Sequence, residues 1–291
     1  MLRELYGIRE IGKPECFLGI NLDWSADENG PFLAMSQRQA IKQFLEDNNI
    51  TAGKPVRSPM VADFYRFLEA EKDPEIVEQK RYQELIGSLL YFACKTRPDV
   101  MPAVSILSRF THKPSAYFWV ALRRVLQYLH TTSGSVIEIR AGHDLRLSAY
   151  SDSDHAADLS GRKSMCGGVI FLGYFVIQYF SRKQTYTAQS TGEAEYIALR
   201  KVCKDLNWFG QILNQLGLGS SDPVSVRSEN NPAITWTEPL STKLPKHIDL
   251  RYHFVRDMVQ DNDVKVTYIP SASNPADLYT KPLPIDAHHT H

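Results

Sequence analysis

Apolar and polar positions alternate along "ECFLGINLDW" and again along "NGPFLAMS", and the period of two predicts a pair of strands joined through an Asn-Gly turn. "SQRQAIKQFLEDNNI" then shifts to a helical period, with Ile41, Phe44 and Leu45 on one face. Residues 61–80 are charged and weakly patterned, and read as a linker with a weak helix. From Tyr82 to Thr131 the period stays helical, with interruptions at Pro98 and Pro114. Three apolar-faced helices in a row predict a small bundle, closed by Gly134. Beyond it the period returns to two in "LRLSAYSD", "GGVIFLG" and "YFVIQYFS". "STGEAEYIALRKVCKDLNWFGQILNQLG" predicts a long amphipathic helix with a Ser/Thr start and a Gly stop. A fourth strand ("VSVRSE"), a helix ("KHIDLRYHFVRDMVQD"), a fifth strand ("VKVTYIP") and a short helix at "NPADLYTKPL", opened by Asn274 and Pro275, complete the order. The change of period between Gly134 and Gly142 predicts two domains, residues 1–138 and 139–291.

Composition alters little in this picture. The chain has 291 residues, 43% hydrophobic and 23% charged, enough for a core and for one to three domains. Lys+Arg and Asp+Glu are equal at 33, so a nucleic-acid partner would have to be held by local patches, not by the overall field. Cys16, Cys94, Cys166 and Cys203 are far apart and lack metal-ligand spacing, which favours free thiols in a reducing compartment. The first residues form no apolar leader, and no run approaches the ~18 residues of a membrane span. An intracellular protein, cytoplasmic or nuclear, with no membrane partner is expected.

Charge becomes informative only by position. Asp152, Asp154 and Asp158 fall within "YSDSDHAAD", where the first strand of the second half ends. Alone they would suit a solvated turn. Glu195 lies in the first turns of the long helix, Glu229 ends the fourth strand, and Asp277 opens the last helix. If the first and fourth strands are neighbours, both strand-end acids share one sheet edge, and the helix starts can bring the other two there. Four converging carboxylates repel one another unless cations hold them. All-oxygen ligation favours Mg²⁺ or Mn²⁺, and a two-ion site suits in-line attack of water on a phosphodiester.

The segment "YSDSDHAADLSGRKSMCGGVIFLG…SRKQTYTAQSTGEAEYIAL…SENNPAI…KHIDLRYHFVRDMV…YIPSASNPADLYTKPL" resembles the ribonuclease H domain of copia-type LTR retrotransposon Pol polyproteins. Upstream, "CFLGINLD…MSQRQAIKQFL…YQELIGSLLYFACKTRPDVMPAVSILSRF…WVALRRVLQYL" resembles the reverse-transcriptase region after the polymerase active site. The resemblance implies an α/β fold: a ribonuclease H-like five-stranded mixed sheet with flanking helices, preceded by a small β-hairpin plus a helical thumb- or connection-like module. It implies Asp152, Glu195, Glu229 and Asp277 as catalytic, metal-binding acids. Glu193 competes with Glu195, but the spacing Glu195, Ala198, Val202 fits the family's helix better. At the third acid the family pattern Asp-Asn-x-x-Ala-Ile is here Glu229-Asn230-Asn231-Pro232-Ala233-Ile234. The added methylene displaces a carboxylate by roughly 1–1.5 Å, against the ~0.5 Å tolerance of a preorganised site, and implies impaired activity.

Basic residues flank the same region. Arg162 and Lys163, with Arg182, Lys183 and Gln184, are candidates for phosphate contacts to an RNA–DNA hybrid, or the solvated ends of a hairpin. Lys246 and His247, also candidates for nucleic-acid contact, and His253 lie on the helix "KHIDLRYHF" and resemble a family signature, with a packed or capping histidine weighed against a catalytic one. Trp119, Arg123 and Arg124 fit bundle packing and a solvated face better than a nucleic-acid grip. His288, His289 and His291 receive no role.

The expected function is metal-dependent endonucleolytic hydrolysis of the RNA strand of RNA–DNA hybrids. The chain has no Asp-Asp dipeptide, so DNA synthesis by it alone is not expected. A reverse-transcriptase polymerase subunit is the implied protein partner, and a virus-like particle the implied cytoplasmic setting. The rival expectation is a weakened or inactive domesticated remnant that binds nucleic acid or protein.

Overall fold

In the computed structural model, which describes residues 12–65, 76–142, 144–155, 163–238 and 253–290, the alternating N-terminal stretch forms β1 (Cys16–Phe17), β2 (Ile20–Asp27) and β3 (Gly30–Ser36), paired antiparallel. Asp27 faces Gly30 across Glu28-Asn29, and Gly30 has a φ of 105° that a side chain would oppose. The helical stretches become α1 (Arg38–Asp47), α2 (Gln79–Ala93), α3 (Met101–Ser108) and α4 (Ala116–Thr131). Pro98 opens a 3-10 turn and Pro102 sits at the start of α3, where a missing amide donor costs nothing. Ile41, Leu45, Tyr82, Leu89, Leu107, Leu122 and Leu129 are buried in one cluster.

A short strand not expected from the sequence, β4 (Ile137–Arg140), closes the N-terminal sheet by pairing antiparallel with β3. The expected division at residues 138/139 therefore runs through a strand of the N-terminal sheet.

The C-terminal part contains β5 (Leu147–Asp154), β6 (Met165–Leu172), β7 (Phe175–Lys183), α5 (Thr191–Gln215), β8 (Val224–Ser228), α6 (Asn231–Thr237), α7 (His253–Gln260), β9 (Val264–Tyr268), a 3-10 turn at Pro275–Tyr279 and α8 (Ile285–Thr290). Its sheet has the order β7-β6-β5-β8-β9. β5, β6 and β7 form an antiparallel meander, while β8 runs parallel to β5 and β9 parallel to β8. This is the five-stranded mixed sheet that the resemblance implied.

The two faces of the sheet are covered differently. Ala149, Ile170, Phe180 and Val226 pack with Ala198, Leu199 and Val202 of α5. On the opposite face Val169, Leu278, Tyr279 and Leu283 join the buried cluster of the helical module. Adjacent glycines on β6 permit both approaches. A Cβ on Gly168 would lie 2.6 Å from the Phe180 ring and 2.7 Å from Val202, and one on Gly167 would lie 2.7 Å from Thr280 and 2.8 Å from the Ala276 carbonyl. Polar contacts across the module boundary reinforce the shared core. The Tyr179 hydroxyl donates to the Ala93 carbonyl at 2.6 Å, and Ser105 Oγ donates to the Ser181 carbonyl at 2.8 Å. All four cysteines are free thiols.

Candidate acidic metal centre

The parallel register of β5 and β8 sets Tyr150 opposite Arg227. Two residues further along each chain come Asp152 and Glu229, so both acids point from the same end of adjacent strands, which are ~4.8 Å apart in a sheet. The start of α5 supplies the third acid. Ser190 caps this helix by accepting a hydrogen bond from the Glu193 amide, and the Glu193 carboxylate accepts from the Gln189 amide at 2.7 Å. Glu193 is thereby occupied at the helix start, in a variant of the capping box whose amide comes from the residue before the N-cap. Glu195, two positions on, turns to the sheet, where it is 4% exposed and accepts from the Ser153 amide at 3.1 Å.

Asp277 arrives on the 3-10 turn. The Asn274 side chain fixes that turn to β5 by donating to the Ser151 carbonyl at 3.2 Å, and accepts from the Ala276 amide at 3.2 Å. Asp277 Oδ1 lies 3.0 Å from the Lys281 ammonium, and Oδ2 accepts from Ser271 Oγ at 3.4 Å. Thr280 donates its hydroxyl to Asp152 Oδ2.

One carboxylate oxygen from each of Asp152, Glu195 and Glu229 lies within 4.8 Å of the others. Asp277 is close enough for its charge to act on both Asp152 and Glu195. Burial, then repulsion from Asp277, raises the Asp152 carboxyl above its ordinary range, against the Thr280 hydrogen bond. Burial, then repulsion from Asp152, raises Glu195 in the same way. Asp154, half-buried on the same strand, is also raised by burial. For Lys281 burial works against the charged form, but the neighbouring Asp277 prevails and the ammonium is held above its usual range.

The donor set fits a hard divalent cation. Glu195 Oε2 and Glu229 Oε2 are buried and have no hydrogen-bond partner, a costly condition for carboxylate oxygens that a cation would relieve.

The remaining sequence candidates separate. Arg182 and Lys183 are exposed at the end of β7, and Lys163 donates to the Thr185 carbonyl at 2.8 Å at the neighbouring start of β6. Gln184 does not belong with them. It is 5% exposed and donates to the Ala194 carbonyl at 2.9 Å, so it locks the start of α5 to the sheet. Arg162, Lys246 and His247 lie outside the described residues; His253 is exposed at the start of α7. Trp119 donates to the Val77 carbonyl and packs on Tyr82, as bundle packing requires, and Arg123 is exposed as expected, whereas Arg124 is half-buried and donates to the Ser58 carbonyl instead of facing solvent. Thr280 and Lys281 escaped the sequence reading, although Lys281 stands four residues after Asp277, a spacing that pairs charges; Asp154 was noticed only as part of the acidic run at the end of the first strand.

No protein-family model matches the chain. The retrovirus-related Pol polyprotein from transposon TNT 1-94 of Nicotiana tabacum is 33% identical over 97% of this chain and 21% of the relative. That from transposon RE2 of Arabidopsis thaliana is 34% identical over 97% of this chain and 19% of the relative. The chain thus spans about a fifth of the length of these relatives. Among solved structures, LC11 ribonuclease H1 isolated from compost is 18% identical, with a TM-score of 0.38 over 47% of this chain and 93% of that one. With near-complete coverage of its own length by relatives of this kind, the chain belongs to the copia-type family of retrovirus-related Pol polyproteins of transposons.

Proposed function

We propose that the chain hydrolyses the RNA strand of RNA–DNA hybrids, as the ribonuclease H part of a retrotransposon Pol protein. The observation that carries this reading is the convergence of Asp152, Glu195 and Glu229, with two buried carboxylate oxygens that lack any partner. Asp152, Glu195 and Glu229 would hold Mg²⁺ or Mn²⁺, with Asp277 beside them. Such ions supply an activated water and neutralise charge on the leaving oxygen of an in-line displacement.

The protein's own contribution is to fix the acids beforehand. The Ser153 amide holds Glu195, the Thr280 hydroxyl holds Asp152, and the Asn274 side chain ties the Asp277 turn to β5. Burial of Asp152 and Glu195 keeps bulk water away and strengthens their attraction for a cation. Lys163, Arg182 and Lys183 lie at the mouth of the β6–β7 hairpin, where Asp154 pairs with Met165 and Met165 with Lys183. That row sets Lys183 two strand spacings, about 10 Å, from Asp154 at the end of β5. Backbone phosphates are the matching ligand, read by charge and helix shape rather than by base edges.

The extra methylene at Glu229 does not take its carboxylate away from the other two, which favours the enzyme over the non-enzymatic remnant. The test is cleavage of an end-labelled RNA–DNA hybrid by the full chain with Mg²⁺ or Mn²⁺, beside RNA and DNA duplexes. Cutting confined to the RNA of the hybrid and lost in Asp152→Asn is expected. Tight hybrid binding without cutting under either metal would establish the binding module instead.

A further inference from the structure

A cation is built into the acidic centre. The Lys281 ammonium is 3.0 Å from Asp277 Oδ1, and its charge also acts on Asp152, Asp154 and Glu229. The acid it holds is the one that stands apart from the tight trio. Asp152, Glu195 and Glu229 bring oxygens within 4.8 Å of one another, whereas Asp277 has one oxygen on Lys281 and the other on Ser271. The two partners differ in freedom. Asp277 is 10% exposed on a turn pinned to β5 by Asn274, while Lys281 is 38% exposed at the end of a flexible four-carbon stem.

We propose that Lys281 is the resident counter-ion of the centre and a positioning residue that sets the order of its loading. With no metal bound, the ammonium occupies Asp277 and offsets part of the repulsion among the acids. A first divalent ion would enter the Asp152–Glu195–Glu229 trio, where Glu195 Oε2 and Glu229 Oε2 are buried without a hydrogen-bond partner. A second ion that needs Asp277 must displace the ammonium, because like charges cannot share one carboxylate oxygen at contact distance. The first affinity is therefore high, and the second is lowered by the strength of the Lys281–Asp277 pair. This inference rests on the metal-centre reading of the proposed function.

The experiment titrates the full chain with Mn²⁺ alone, without nucleic acid, and follows bound ion by electron paramagnetic resonance and calorimetry. Wild type is expected to show one tight and one weaker class. Lys281→Met should tighten the weaker class at least tenfold and lower the melting temperature in EDTA by several degrees. Lys281→Arg, which keeps the charge, should retain the wild-type gap. Lys281→Gln keeps a hydrogen bond to Asp277 without the charge and is read like Lys281→Met, so the test survives if one variant fails to fold. A weaker class unchanged in the neutral variants, or a melting temperature in EDTA that they leave untouched, overturns the proposal. Hybrid cleavage is measured separately. Its absence alongside the expected Mn²⁺ pattern would overturn the proposed function and leave the role of Lys281 standing.

Discussion

Thr280 donates its hydroxyl to the buried carboxylate of Asp152 across 128 residues of sequence. The bond couples the residue that ends the Pro275–Tyr279 turn to the first strand of the C-terminal sheet. It also opposes the burial and repulsion that push Asp152 toward its neutral form. A hydrogen bond to a charged acceptor is worth about 1.5–3 kcal/mol. Thr280→Val is therefore expected to raise the Asp152 carboxyl further and to lower Mg²⁺-dependent hybrid cleavage about tenfold or more. Thr280→Ser should keep most of the activity. Equal rates for valine and serine variants would show that the hydroxyl does not position Asp152.

The buried acids give metal-free stability an unusual dependence on pH. Asp152 and Glu195 are raised in the folded chain, so the native state binds more protons than the unfolded state above the ordinary carboxylate range. Stability then falls as pH rises from about 4 upward. His288 acts in the opposite sense. It is buried against Tyr128, with Asp99 and His289 as its charged or titratable neighbours, and burial lowers its ring. That contribution is lost as pH drops through the histidine range. Melting curves in EDTA should therefore lose stability toward alkaline pH in wild type and lose less in Asp152→Asn/Glu195→Gln. Saturating Mg²⁺ should stabilise wild type more at pH 8 than at pH 5.5. A double variant with the wild-type alkaline slope would assign the effect elsewhere.

Much of this centre was legible because strand periodicity carries direction as well as type. The alternation in "LRLSAYSD" and "VSVRSE" identified two strands and left Asp152 and Glu229 at their ends; parallel pairing of β5 with β8 then put them together. The choice of Glu195 over Glu193 agrees with the capping role of Glu193. What escaped was set by tertiary contact. Gln184 reads as part of a basic run, yet its amide is buried against the Ala194 carbonyl. The four residues of β4 show strand pairing only because β3 offers an edge. The short α6 was within reach: Asn230 accepts from the Ala233 amide and Pro232 stands in the first turn. The tail gave no sign that His288 would be buried beside Tyr128.

The shared core bears on the expected two-domain division. Val169, Leu278, Tyr279 and Leu283 are buried in the cluster built by α1–α4, and cutting near Gly142 would expose them. A separately expressed fragment of residues 141–291 should melt well below the full chain and bind hydrophobic dyes. The pair Tyr179→Phe and Ser105→Ala, which removes two hydroxyl hydrogen bonds across the boundary, should cost about 1–3 kcal/mol in total. A fragment as stable as the full chain would restore two independent units.

Arg182 and Lys183 are exposed at the end of β7, on the face proposed above for backbone phosphates. Their conversion to alanine is expected to raise the Kd for hybrid without changing which RNA sequences are cut. The slope of log Kd against log salt should drop by roughly 0.7–0.9 for each phosphate that is no longer neutralised. Gln184→Ala, by contrast, should act on stability, since it strips a buried partner from the Ala194 carbonyl. An unchanged salt slope in the double alanine variant would remove these residues from the nucleic-acid surface.

Glu229 decides between a site weakened by its longer acid and one built around it. The family pattern alone suggests weakening, with aspartate restoring activity. Geometry argues the reverse. The Glu229 carboxylate already meets those of Asp152 and Glu195 within 4.8 Å, and its Oε2 is buried without a partner. Shortening the side chain withdraws the carboxylate by roughly 1–1.5 Å, and a displacement near 1 Å at a reacting centre can cost about 100-fold. Glu229→Asp is therefore expected to lower Mg²⁺-dependent cleavage by about 10- to 100-fold. Mn²⁺ should recover part of the loss, because Mg²⁺ demands near-ideal octahedral geometry. Glu229→Gln keeps the length but removes the charge, and should lose more than Glu229→Asp under both metals. A Glu229→Asp enzyme faster than wild type with Mg²⁺ would instead show that glutamate holds the centre back.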